Sequence, residues 1–232
     1  MNRKIIVFLS VLIVMFTALA LPPSRMVFAE KQITPTVIID AGHGGIDGGA
    51  VGETGATEKK INLEIAKKMR AMLGIFGYDT LMTRIGDDYA YENGNTIREK
   101  KISDTKARVE MINNTKNAYL ISVHLNHFSQ EKYFGAQVFH TNDNNAKTVA
   151  ENIQETLRRG VDKNNKRLSK EVGKNIYIMN KINCPGVLVE CGFLSNPREE
   201  KLLQTEDYQK RIALSVSVGF ADGYKEVKNY EN

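Results

Sequence analysis

Cysteine and tryptophan are the residues that this 232-residue sequence uses least. It contains no tryptophan and two cysteines, Cys184 and Cys191. Most of the segment between them, PGVLVE, has the composition of a strand, and an extended chain at ~3.3 Å per residue would hold the two thiols roughly 23 Å apart. We therefore expect two free thiols and an interior that is stabilised by apolar packing rather than by a disulfide framework.

The sequence also lacks a large excess of either charge. The formal net charge is +5, but Arg3, Lys4 and Arg25 lie in residues 1–29, which carry no acid, and the remainder holds 29 basic against 27 acidic residues. The basic residues are scattered rather than grouped with aromatic ones, so we expect no nucleic-acid partner. Internal repeats and low-complexity tracts are absent as well, and the length suits one globular domain.

One hydrophobic run stands out, at the N-terminus. Residues 5–21 carry no charge and follow the basic start MNRK, and Val27 and Ala29 have the spacing that a signal peptidase reads. A run of 17 residues is near the lower limit for a membrane span. Residues 1–29 are therefore either a cleaved export signal or a membrane anchor. Both alternatives place the domain of residues 30–232 outside the cytoplasm, in contact with a membrane only through the N-terminal segment.

The rest of the chain alternates between short β-branched runs and segments with apolar residues at helical spacing. The predicted strands cover residues 37–40, 78–84, 118–125, 135–140, 175–179 and 186–190. The predicted helices cover 61–76 (ended by Gly77), 104–115 (capped by Asp104), about 143–160 and 206–227, with a polar surface loop up to about Ser103. This order predicts an α/β fold, a single domain with a mostly parallel twisted sheet that is covered by helices on both faces.

Side chains that bind metals or move protons occur where three of these strands end. His43 follows the first strand, His124 ends the third, and Glu190 ends the last, while Glu58 begins the first helix at the same edge of the sheet. Ligands of such folds bind beyond the carboxyl ends of the strands. Two histidines and a carboxylate are a known ligand set of catalytic zinc, which leaves the fourth group, Glu190, to act as a base.

Each of these residues also has a simpler interpretation. His43 would be an unpartnered loop histidine, and His124 a core histidine with its hydrogen bonds satisfied. Glu58 would stabilise a helix start through the dipole, by ~0.3–1 kcal/mol, with no metal involved. Glu190 fits a simple interpretation least, because an unpaired carboxylate at the end of GVLVE is costly to bury.

Seven glycines fall within residues 42–55, around His43. A phosphate-binding G-x-G-x-x-G pattern that starts at Gly42 needs glycine at position 47, where Asp47 stands, and no G-x-x-x-x-G-K-[ST] occurs. The glycines are better explained as backbone that turns sharply to bring a metal under the strand end.

Five blocks of sequence carry a resemblance to a known family. In order they are DAGHGGIDGGAVG, TEKKINLEIA, TR, ISVHLN and VLVECGFLSNPRE. Over about residues 36–225 the chain resembles the zinc-dependent N-acetylmuramoyl-L-alanine amidases of the amidase-3 type. The resemblance implies that His43, Glu58 and His124 bind Zn²⁺ and that Glu190 is the catalytic acid–base. It also implies a substrate, peptidoglycan, and a bond, the one between the lactyl group of N-acetylmuramic acid and L-alanine of the stem peptide.

The chain departs from the family pattern at three positions. Ala41 replaces a proline, Leu125 replaces an alanine, and His127 is an additional imidazole three residues after His124, which we do not expect to compete for the metal. In length and layout the chain is similar to the germination-specific amidases of spore formers, the CwlD type. That likeness implies work in the spore cortex as a step toward muramic-δ-lactam, with a downstream muramic-acid deacetylase. We also expect an accessory or tethering protein, because the net charge of about +2 outside residues 1–29 gives little attraction to an anionic polymer.

Two other functions remain open from the residues alone. One is a zinc peptidase or deacetylase that acts on another amide of the cell wall. The other is a non-catalytic wall-binding or scaffold domain. Glu190 argues against the wall-binding or scaffold domain, since a binding module has no need of a carboxylate at that strand end.

Overall fold

The computed structural model of the chain describes residues 34–87 and 94–231, and it confirms the predicted α/β class. The strands are β1 (Thr36–Ala41), β2 (Thr80–Met82), β3 (Ala118–Asn126), β4 (Gln137–His140), β5 (Lys170–Glu171) and β6 (Gly186–Phe193). The helices are α1 (Glu58–Ile75), α2 (Ile97–Asn114), α3 (Asn144–Gly160), α4 (Tyr177–Lys181), α5 (Pro197–Leu203) and α6 (Glu206–Glu231).

All six strands form one sheet in the order β2-β1-β3-β6-β4-β5. The four strands β2, β1, β3 and β6 are parallel, whereas β4 runs antiparallel to β6 and β5 is parallel to β4. The last strand along the chain, β6, therefore lies inside the sheet. This topology places the carboxyl ends of β1, β3 and β6 side by side.

The strands are apolar on both faces because helices cover both. Val37 and Ile39 of β1 face the larger core, which they form with apolar side chains of α1, α3 and α6. Ile38 faces the opposite way, into a smaller cluster with Ile112 of α2 and Ile178 of α4. The two-residue alternation along β1 thus decides which helices each side chain meets.

The start of α2 corrects the predicted long loop. The helix begins at Ile97, not at residue 104, and Thr96 and Glu99 form a reciprocal capping box at its start. Asp104, predicted as the cap, is buried inside the helix and pairs with Arg108 at 2.7 Å. The segment was predicted as loop because it is polar, but a T-x-x-E capping box starts a helix without any apolar stripe.

A second correction concerns residues 175–179, which do not form a strand. The apolar run belongs to the short helix α4, which packs Ile178 and Met179 against the smaller core cluster. So short a run of apolar residues fits one helical turn as well as a strand, and its periodicity cannot separate the two. Strand β5 and helix α5 were not predicted, and β2 is shorter than the predicted 78–84.

The predicted signal or anchor, residues 1–29, lies outside the described residues. Among the described residues no helix combines the length and the apolar character needed to cross a membrane. Both cysteines are free thiols, as expected. Cys191 packs into the larger core, while Cys184 contacts the smaller cluster on the other face of the sheet.

Candidate metal centre

The glycine loop after β1 turns the backbone abruptly at His43. The φ angle of His43 is 62°, and those of Gly44 and Gly45 are 144° and 53°, so three consecutive residues have positive φ. Gly42 is needed for a different reason, since a Cβ there would lie 2.3 Å from the His124 ring. The missing side chain therefore allows the two histidines to approach each other.

Three of the four residues singled out in the sequence form one cluster. His43, Glu58 and His124 each offer a ligand atom, and these atoms lie within 4.8 Å of one another. Nε2 of His43 is 3.2 Å from one oxygen of Glu58, and Nδ1 of His124 is 3.0 Å from the other. The residues thus come from the glycine loop, the first turn of α1 and β3, as their positions at one edge of the sheet predict.

Glu58 is held by the backbone as well as by the two rings. The amide of Ala50 donates to Oε2 at 2.9 Å, and the amide of Leu125 donates to Oε1 at 3.0 Å. Burial by itself would raise the pKa of this carboxyl, but the hydrogen bonds and charges of His124 and His43 bring it well below its usual range. The group is therefore an ionised acceptor at neutral pH, as a metal ligand must be.

The two imidazoles share this carboxylate. Burial disfavours the charged form of His43, yet hydrogen bonds to Asp47 and Glu58 raise its pKa to about 9 when no cation is bound. The pKa of His124 is also raised against the effect of burial, chiefly through its hydrogen bond to Glu58. The carboxylates around the two rings therefore favour positive charge at this site.

Glu190 lies beside the cluster rather than within it. Glu190 of β6 is the register partner of His124 in β3, so both side chains lie on the same face of the sheet. Strand β6 does not end at Glu190, as predicted, but continues to Phe193. One of its oxygens, Oε2, is buried and has no hydrogen-bond partner among the described residues. Burial, with the negative charge of Glu58, raises the pKa of Glu190 to about 7.

The donor set fits a zinc ion. Two imidazoles and one ionised carboxylate converge, and an unpartnered carboxylate oxygen lies next to them. This is the arrangement of zinc enzymes that keep one coordination position open for water, with a base close by.

Comparison with known proteins now decides the family. Residues 37–222 match the amidase-3 family, described as N-acetylmuramoyl-L-alanine amidase. The chain belongs to this amidase family.

Several relatives resemble this amidase over most of its length. A germination-specific N-acetylmuramoyl-L-alanine amidase from Bacillus subtilis strain 168 is 40% identical over 186 residues, which are 79% of this chain and 77% of that protein. The CwlD amidase from Clostridioides difficile, solved in complex with the GerS lipoprotein, has a TM-score of 0.79 at 42% identity, over 83% of this chain and 99% of that chain. Another N-acetylmuramoyl-L-alanine amidase, from Clostridium difficile 630, has a TM-score of 0.70 at 30% identity, over 82% and 96% of the two chains.

Two buried arginines, which were not singled out as site residues from the sequence, hold the loop of the amidase in place. Arg108 of α2 donates to Oδ1 of Asp40, to the carbonyl of Ala41 and to the carbonyl of His43, at 2.7, 2.9 and 2.8 Å. Arg84, which follows β2, donates to the carbonyls of Ala41 and Gly42 at 2.8 and 3.1 Å. Together they donate hydrogen bonds to the backbone carbonyls of Ala41, Gly42 and His43, where β1 ends and the loop begins.

Asp40 lies beneath the cluster as the partner of Arg108. It is fully buried, and Ser122 and Thr83 also donate to it, at 2.6 and 2.8 Å. Burial would raise its pKa, but the adjacent Arg108 and His124 lower it to about 2. The amidase therefore keeps a buried negative charge close to His124.

The cluster opens into a groove of about 280 Å³. The groove is lined by His43, His124 and Glu190, and also by residues of α2 and of α4 with its preceding segment, including Thr105 and Tyr177. His127, the additional imidazole, is exposed just after β3 and is not part of the metal-binding group found among the described residues.

Proposed function

We propose that this amidase is a zinc enzyme that cleaves the bond between the lactyl group of N-acetylmuramic acid and L-alanine of peptidoglycan stem peptides. His43, Glu58 and His124 hold the zinc, and Glu190 is the acid–base. The observation that carries the proposal is the convergence of two imidazoles and an ionised carboxylate within 4.8 Å, beside a glutamate with an unpartnered buried oxygen.

Zinc held by these three residues would supply Lewis-acid chemistry, which activates water and polarises a carbonyl group. Glu190 accepts the proton of the attacking water and delivers it to the alanine nitrogen as the amide C–N bond breaks. In the metal-free protein, burial raises the pKa of Glu190 above its usual range, so this carboxyl holds a proton more readily than an exposed one does. Cys191 faces the opposite core and has no part in this chemistry.

We further propose that the enzyme works outside the cytoplasm, in the cortex of the spore. There it would remove stem peptides from muramic acid before a muramic-acid deacetylase acts on the way to muramic-δ-lactam. The support is the 40% identity to a germination-specific amidase of Bacillus subtilis. Residues 1–29 would serve as export signal or anchor for the catalytic domain of residues 30–232. The complex of the similar CwlD amidase with a lipoprotein supports an accessory partner for this chain as well.

Digestion of purified muropeptides by the full-length chain tests the reaction. Mass spectrometry should find free stem peptides with a new N-terminal alanine and intact acetylated glycan. Products cut within the peptide, or glycan that has lost acetyl groups, would favour the zinc peptidase or deacetylase alternative. A protein that binds peptidoglycan but releases nothing would favour the scaffold alternative.

Metal content tests the site. The purified chain should hold about one zinc, and removal by a chelator should abolish activity until zinc is returned. His43→Ala and His124→Ala should each lose most of the metal, while His127→Ala should retain it. A metal-free preparation with full activity would overturn the proposal.

A further inference from the structure

Asn62 is a fully buried side chain on α1, one helical turn after Glu58. Its amide nitrogen donates to the carbonyl of Gly42 at 3.2 Å and to Oε1 of Glu58 at 3.3 Å. One side chain thus contacts a metal-binding carboxylate and the backbone next to His43. The orientation of the amide follows from chemistry, because the reverse would point its oxygen at two acceptors.

The fold does not need these hydrogen bonds to satisfy either acceptor. Arg84 also donates to the carbonyl of Gly42, at 3.1 Å, and the amide of Leu125 also donates to Oε1 of Glu58, at 3.0 Å. Removing Asn62 therefore leaves neither acceptor without a donor.

Asn62 also lowers the stability of the fold. Its own oxygen, Oδ1, is buried and has no hydrogen-bond partner in the part of the chain that the structure describes. A buried amide destabilises the native state when its oxygen lacks a hydrogen bond and its nitrogen donates only to acceptors that already have other donors. An apolar side chain of similar size would suit the interior of α1 better, so a reason other than stability is needed for an amide here.

We propose that Asn62 is a positioning residue for the metal site, which fixes the plane of the Glu58 carboxylate relative to the His43 loop. The inference rests on the proposed zinc site. Groups that orient metal ligands typically change metal affinity by about 10–100-fold when they are removed. Asn62 differs from an ordinary structural residue in one measurable way, since its loss should weaken metal binding without weakening the metal-free fold.

The test compares Asn62→Leu and Asn62→Ala with the wild-type full-length chain. Zinc affinity is measured by competition with a chromophoric chelator, and thermal stability is measured on metal-free protein. Both variants should bind zinc about 10–100-fold more weakly. The Tm of metal-free Asn62→Leu should equal or exceed that of the wild type, and Asn62→Ala covers the case in which leucine does not fit.

Gln154 on α3 supplies the matched control. It is also a buried amide, 2% exposed, that ties a helix to a strand, since it accepts from the amide of Val138 and donates to the carbonyl of Ala136. Gln154→Leu should lower the Tm of the metal-free protein and leave zinc affinity within about twofold, because Gln154 contacts none of the ligands.

The outcomes separate this inference from the function on which it rests. If the wild type binds zinc and both Asn62 variants bind it equally well, the positioning role is wrong and the zinc site stands. If Gln154→Leu weakens zinc binding as much as the Asn62 variants do, the effect is general destabilisation and the inference is also wrong. If the wild type binds no zinc at all, the proposed function fails and this inference fails with it.

Discussion

The carboxylate of Asp47 lies 2.9 Å from Nδ1 of His43, while Nε2 of the same ring lies 3.2 Å from Glu58. Both ring nitrogens are thereby assigned, one to a carboxylate that orients the ring and the other to the metal cluster. Asp47 is itself fixed by the amide of Gly49 and by Lys101 of α2, at 3.2 and 2.7 Å. The direction of His43 is thus set by a chain of contacts that reaches a separate helix.

Asp47→Asn should lower zinc affinity by about 10–100-fold. The amide carries no negative charge beside the His43 ring and orients the ring less strictly than the carboxylate does. Competition with a chromophoric chelator measures the change. Asp87→Asn is the control, since Asp87 is 54% exposed and its side chain pairs with Lys59 rather than with a ligand. Equal losses in the two variants would show that the charge near the loop matters and that the contact with His43 does not.

Glu190→Gln should separate proton transfer from metal binding. The amide has nearly the same size but no longer accepts a proton, so turnover should fall by about 10²-fold or more while zinc is retained. Steady-state cleavage of muropeptides and metal analysis of the same sample measure both. Zinc that is lost together with activity would make Glu190 a ligand and would require a new role for Glu58.

Metal-free protein should lose stability as the pH rises from 5 to 9. The folded-state pKa of Glu190 is raised from 4.5 to about 7 and that of His43 from 6.5 to about 9. A raised pKa contributes stability that is complete below the unfolded value and is lost as the pH passes the folded value. The stability contributed by Glu190 should therefore be lost between about pH 4.5 and 7, and that contributed by His43 between about pH 6.5 and 9.

Thermal unfolding in the presence of a chelator at pH 5, 7 and 9 tests this. Glu190→Gln should remove the lower part of the decline and keep the upper part. The depressed pKa values of Asp40 and Glu58 act in the opposite direction, but only at lower pH. A Tm that rises from pH 5 to 9 would contradict the assignment.

Arg108→Met should destabilise the metal-free fold by about 3–5 kcal/mol, since it removes the buried cation that pairs with Asp40 and Asp104. Urea denaturation measures the free energy of unfolding. Arg159→Met is the matched control, because Arg159 pairs with Glu155 while 75% exposed, and its loss should cost about 0–1 kcal/mol. Similar losses for both variants would mean that the buried network contributes no more than a surface ion pair.

The isolated domain should be a weak enzyme on intact wall. Outside residues 1–29 the sequence has a net charge of only +2, which gives little attraction to an anionic polymer. We expect the anchored form, or residues 30–232 with the accessory partner, to release stem peptides faster than residues 30–232 alone. The three rates should be compared on the same wall preparation. Equal rates would show that the catalytic domain finds its substrate without help.

Much of the fold could be read from the sequence because its strands are strong local signals. Local sequence is enough to predict four elements: the β-branched runs indicate strands β1, β3 and β6, and the apolar stripe indicates helix α1. Helix α4 could not be predicted in this way, because the short apolar run of residues 176–179 fits either a strand or a helical turn, and tertiary packing decides between them. The capping box at Thr96 was a readable signal that the polarity of the segment obscured.

The residues of the candidate site also fall into two groups, those that the sequence predicts and those that it does not. His43, Glu58, His124 and Glu190 could be placed at one edge of the sheet because parallel strands bring their carboxyl ends together. Arg84 and Arg108 could not, because both support the loop through the backbone carbonyls of residues 41–43, and no side-chain pattern marks a carbonyl as needing a donor. Asn62 was hidden for the same reason, inside a helix whose pattern is otherwise ordinary.

The interior place of β6 has a consequence for how the protein is made. Strands β2, β1 and β3 can pair as soon as residue 126 is available, but β4 and β5 join the sheet only through β6, which ends at Phe193. Long-range pairing of this kind comes late in folding. Because β6 also carries Glu190, a partly synthesised chain contains His43, Glu58 and His124 without Glu190 beside them. With Glu190 as the proposed acid–base, the enzyme would become active only after nearly the whole chain has been made.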